Sequence, residues 1–92
     1  MILERLQKKF IITQMEPDEI KSIIEHGLPG SVVDVKGDGT HFEATIVSVK
    51  FRGMDLVEQH QAVYKTLGDA MKERIHALSL KTYTPEQWEK IK

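Results

Sequence analysis

His26, His41, His60 and His76, in a chain with no cysteine, set the range of chemistry open to this protein. Imidazole ligates metals, carries protons near neutrality and hydrogen-bonds through either ring nitrogen. The missing thiol excludes disulfides, a thiolate nucleophile and any metal or cluster site built from cysteine alone. A soft metal centre would have to draw most of its ligands from a partner. His26 stands just before Gly27, where a cation suits the negative end of a helix dipole and a structural role is expected. His60 falls in an apolar helical stripe and reads as a core residue hydrogen-bonded to a neighbour. His41 and His76 differ from both. Each stands at the beginning of a strand, where the ladder fixes the backbone and the side chain can be reached from outside. Residue chemistry alone leaves these two open between inert surface groups and metal ligands.

Other chemistries lack their residues. The chain has no Gly-rich phosphate loop, no GxSxG elbow and no HExxH pair. Its carboxylates fall on predicted solvent faces with no acid/base pair, and a short chain has little room for a deep substrate cleft. The expectation is a protein that is not an enzyme. Thirteen basic residues against fourteen acidic ones leave a formal charge of −1, with a pI near 6.4. That lacks the basic excess of a dedicated non-specific nucleic-acid binder. Lys50, Arg52, Lys72, Arg74 and Lys81 are the candidates for a local basic surface facing a partner or nucleic acid, set against the plainer reading of solvated lysines and arginines. No apolar run approaches transmembrane length, and a cytoplasmic location is expected.

The 92 residues suffice for one domain, and 40% apolar with 29% charged residues is an ordinary globular composition. Residues 1–14 read as a peripheral arm or an upstream-start extension, with Leu3, Leu6 and Phe10 on one side of a possible helix, and the domain proper spans 15–92. Pro17, Asp18 and Glu19 open a helix whose stripe is Ile20, Ile23 and Ile24, and Gly27 and Pro29 end it. Gly27-Leu28-Pro29-Gly30 matches the GxxG of KH domains, but it leads from a helix into a strand and reads as a terminator. Alternating β-branched residues predict strands near 32–36 and 42–50, joined through the Asp38-Gly39 turn. Asp55 is the expected N-cap of a long helix over 55–71, with Leu56, His60, Val63, Tyr64, Leu67 and Met71 in its stripe and Gly68 as a weak point. A third strand is predicted near 75–82, and Thr84-Pro85-Glu86-Gln87 forms a capping box for a last short helix. The order is α-β-β-α-(α)-β-α, an α+β layer with helices on one face of a three-stranded mixed sheet. Its expected core is Ile20, Ile24, Val33, Phe42, Ala44, Ile46, Val63, Leu67 and Leu78.

The combination of Gly37-Asp38-Gly39 with His41-Phe42, Phe51-x-Gly53, His60 with Val63-Tyr64, Ile75-His76-Ala77, and Lys81-Thr82-Tyr83-Thr84-Pro85 with Trp88 resembles the BolA family, in particular its small bacterial branch. The resemblance covers about residues 17–90. It implies a KH-like class II fold and a monothiol glutaredoxin partner, with a bridging [2Fe–2S] cluster in iron–sulfur trafficking or iron sensing. The family's ligands are a histidine beginning the last strand and a histidine or cysteine in the hairpin loop, positions matched here by His76 and His41. The glutaredoxin cysteine and a glutathione thiol would complete the set, so the isolated chain is expected to bind no cluster. Imidazole ligation raises a cluster's potential and makes binding depend on pH. The family also contains DNA-binding transcriptional regulators. The segment Glu58-Gln59-His60-Gln61 departs from the basic residues that often flank this histidine in the family, which leaves weak, salt-dependent DNA binding as the alternative role.

Overall fold

A computed structural model describes residues 15–92. Helix α1 spans Pro17–Gly27, and strands β1 (Val32–Gly37) and β2 (His41–Val47) follow. A 3-10 turn covers Val49–Phe51, then come α2 (Leu56–Leu67), the single-turn α3 (Ala70–Glu73), β3 (Ala77–Tyr83) and α4 (Pro85–Ile91). The sheet order is β1-β2-β3. The tight turn makes β1 and β2 antiparallel, whereas the crossover through α2 and α3 brings β3 in parallel to β2. The expected α+β order and mixed sheet are both present.

Local chemistry accounts for the boundaries. Asp55 caps α2 by accepting the Glu58 N–H at 2.8 Å, and Glu58 returns the bond from the Asp55 N–H at 3.0 Å. Thr84 and Gln87 repeat this arrangement at α4. Gly68, at φ 51°, ends α2 at the expected weak point, and the short helix α3 is the optional second helix of the predicted order. Strand β2 stops at Val47 rather than residue 50, because Ser48 accepts the Lys50 N–H and turns the chain into the 3-10 segment. Strand β3 begins at Ala77 rather than 75, since the Ile75 N–H is still donated to the Ala70 carbonyl of α3.

Phe42, Ala44 and Ile46 of β2 alternate with exposed or half-buried residues and meet Ile20, Ile24, Val33, Val63 and Leu67 in one core. Met15, Leu28, Phe51 and Ile75 complete it. Leu78 is only half-buried, on the edge strand β3. The buried stripe of α2 is Gln59, Val63 and Leu67, while Leu56 is 62% exposed. Here a hydrogen-bonding glutamine displaces the expected leucine: Gln59 donates to the Met54 carbonyl at 3.2 Å and accepts the Thr82 hydroxyl at 2.8 Å. His60 is half-buried, and its Nε2 has no hydrogen-bond partner among the described residues, contrary to the bonded core role expected of it.

Candidate functional site

Parallel pairing sets His41 beside Ala77, so His76 stands one residue ahead of His41's neighbour, at the same end of the sheet. Adjacent strands lie about 4.8 Å apart, and both histidines are exposed. The sequence puts the two near separate strand starts, and the register sets both at one end of the sheet.

Each histidine has a fixed backbone. His76 is flanked by buried Ile75, tied to α3 by its N–H, and by Ala77, paired in the ladder. Arg74, two residues earlier, donates to Glu19 of α1 at 3.4 Å and anchors the approach to the strand. His41 follows a turn closed by its own carbonyl, which accepts the Asp38 N–H at 3.2 Å. The Asp38 Oδ1 accepts the His41 N–H at 2.8 Å and the Thr40 N–H at 2.9 Å. These amide bonds, that from His41 first, hold the Asp38 carboxyl below its ordinary pKa. A shallow hollow of about 330 Å³ lies beside this turn, bordered by Lys36, Asp38, His41, Glu43 and Ser79.

The donor set amounts to two imidazoles. Among the described residues, no three His, Cys, Asp or Glu side chains gather as a metal site. A [2Fe–2S] cluster needs four ligand positions, so His41 and His76 fit a half-share of a cluster and no more. The remaining histidines lie elsewhere: the His26 Nδ1–H donates to the Ser22 carbonyl at 3.1 Å within α1, and His60 is on α2.

The five basic candidates are dispersed. Lys50 and Arg52 follow the C-terminal end of β2, Lys72 and Arg74 precede β3 at the histidine end, and Lys81 is on β3. Three of them are engaged by carboxylates. Arg52 makes a bidentate pair with Glu86 at 2.8 and 2.7 Å, Arg74 meets Glu19, and Lys81 meets Glu43 at 2.9 Å. The hydrogen bonds of the first and last pairs lower the Glu86 and Glu43 pKa values and raise those of Arg52 and Lys81. An apolar groove of about 470 Å³, bordered by Met54, Leu56, Tyr83 and Ile91, opens at the other end of the sheet. The sequence reading missed it because it had placed Leu56 in the core stripe.

Comparison with known proteins agrees with this architecture. The family model for BolA-like proteins matches residues 12–87. The acid stress protein IbaG of Escherichia coli K12 is 43% identical over 75 residues, covering 80% of this chain and 89% of that protein. The DNA-binding transcriptional regulator BolA of Vibrio cholerae is 34% identical, covering 99% of this chain and 82% of that one. The solved structure of a BolA homologue from Coxiella burnetii superposes with a TM-score of 0.76 at 46% identity, over 82% of this chain and 97% of that one. None of these names is that of an enzyme. With a matched family model over most of its length and the α-β-β-α-α-β-α order on a mixed three-stranded sheet, this chain belongs to the BolA family.

Proposed function

We propose that this protein is a non-enzymatic partner of a monothiol glutaredoxin and shares one bridging [2Fe–2S] cluster with it, for cluster trafficking or iron sensing. The observation that carries this reading is the placement of two exposed histidines, His41 and His76, at one end of the sheet. When bound, the cluster would supply one-electron redox chemistry or serve as cargo. This chain contributes two neutral nitrogen donors, and the partner's cysteine with a glutathione thiol contributes sulfur. Protons compete for the imidazoles, so ligation weakens in acid.

The second reading, a DNA-binding regulator, draws on the name of the Vibrio cholerae relative. Against it stand the dispersal of the basic residues and the engagement of Arg52, Arg74 and Lys81 by carboxylates. Sub-micromolar, sequence-dependent binding by the cluster-free protein at physiological salt would reverse the ranking.

The test is reconstitution with a monothiol glutaredoxin, iron, sulfide and glutathione, followed by visible circular dichroism. His76→Ala is expected to abolish the spectrum of the mixed complex and leave only the glutaredoxin's own cluster. His41→Ala should weaken or alter it, and His41→Cys should retain a cluster at lower potential, since thiolate is the stronger donor. An unchanged spectrum in the double alanine variant, with the heterocomplex still formed, would overturn the assignment.

A further inference from the structure

The turn before His41 contains two glycines and is nonetheless held from several sides. Gly37 lies so close to its neighbour across the turn that an added Cβ would stand 2.7 Å from the His41 carbonyl oxygen and would strike the Phe42 ring. The Asp38 N–H closes onto that same carbonyl, and the Asp38 Oδ1 gathers the Thr40 and His41 N–H groups. Beyond the turn, His41 enters the ladder beside Ala77. Its Cα–Cβ direction is therefore set, leaving two side-chain torsions to aim the imidazole.

Asp38 is exposed, and the bonds described for its carboxylate are these two. It makes no ion pair with a described residue, whereas Glu43 and Asp34 nearby meet Lys81 and Lys36. A carboxylate so placed adds nothing to the core, and its effect falls on the backbone of the residue it holds. We propose that Asp38 is a positioning residue for the shared cluster: it binds no metal, and it presets His41 so that the imidazole meets the partner-borne cluster in one geometry. The inference rests on the shared-cluster reading above.

The test compares Asp38→Asn and Asp38→Ala in the full chain. Asparagine keeps the Oδ1 acceptor and can make the same turn without the charge; alanine cannot. Amide NMR of the cluster-free proteins should show the Thr40 and His41 N–H signals moved in the alanine variant, nearly in place in the asparagine variant, and the rest of the fold intact in both. After reconstitution with the glutaredoxin, Asp38→Asn should give the wild-type visible circular dichroism. Asp38→Ala should move toward the His41→Ala spectrum and lose its cluster to a chelator several-fold faster. If the wild type and His41→Ala differ while Asp38→Ala matches the wild type, the positioning role is wrong and the shared cluster stands. Asparagine failing as fully as alanine would likewise overturn it, because charge rather than turn geometry would then be at work. A wild type that forms no mixed spectrum removes the shared cluster and this role together.

Discussion

A glutamine amide sits where the core would ordinarily take a leucine. Gln59 reaches the Met54 carbonyl with its nitrogen and the Thr82 hydroxyl with its oxygen, joining the turn before α2 to the end of β3. Buried polar groups of this kind are costly to orphan. Gln59→Ala would strand the Thr82 hydroxyl and a turn carbonyl, and is expected to cost about 1–3 kcal/mol in chemical denaturation. Gln59→Ala with Thr82→Val should cost less than the sum of the separate changes, because the stranded hydroxyl is gone. Sequence alone did not expose this residue. Periodicity ranks positions by apolar character, so it selects Leu56, which is exposed, and passes over Gln59, which is buried. The positions of His41 and His76 were legible for a different reason: strand patterning and turn chemistry set both near strand starts, the family resemblance alone singled them out as ligand candidates, and the parallel register puts them at one end of the sheet.

Between elements, a close approach of α1 to α2 is made by a residue that first reads as punctuation. Gly27 is the last residue of α1, and a Cβ there would run into the side chain of Thr66 on α2, 2.6 Å from its own Cβ. Thr66 cannot simply turn aside, since it is β-branched and its hydroxyl donates to the Val63 carbonyl at 2.6 Å. Gly27→Ala sets two effects against each other. Alanine is the better helix former by roughly 1 kcal/mol, whereas overpacking a helix contact costs about 1–3 kcal/mol. The expected outcome is a net loss of stability, read as a lower thermal midpoint; a gain would mean that the helices separate at little cost. The same position shows how far element boundaries can be read. Asp55 and Thr84 announce helix starts through side chains that accept first-turn N–H groups, and Pro17 through its fixed φ, all of which is local chemistry. The ends of β2 and the start of β3 depend on the 3-10 turn and on α3, and strand propensity carries no record of either.

At the scale of the whole fold, two exposed ion pairs among the described residues join separate elements. Arg52–Glu86 ties the turn before α2 to α4, and Lys81–Glu43 links β3 to β2 across the open face of the sheet. Folding lowers the pKa of both glutamates, so their contribution is fully present above the unfolded glutamate value of about 4.3. It is lost as pH falls through the lower folded values, and neutral pH does not touch it. Both pairs are exposed and individually weak. Replacing Glu43 and Glu86 together by glutamine should lower the thermal midpoint modestly at pH 7 and flatten its fall in acid, measured by far-ultraviolet circular dichroism from pH 7 to pH 3. An unaltered acid slope would assign the acid sensitivity to other carboxylates.

The parallel pairing of β2 with β3 has a consequence for when the histidine edge exists at all. His41 and His76 are separated by 35 positions along the chain (76 − 41 = 35), and between them run the rest of β2 and the crossover that closes over the core. A hairpin fragment carries one imidazole, a C-terminal fragment the other, and neither carries both. A partner that grips both recognises only the intact chain. Under the proposed function its grip would by mass action add to the stability of the folded chain, so the loaded complex would resist opening and proteolysis more than the free protein.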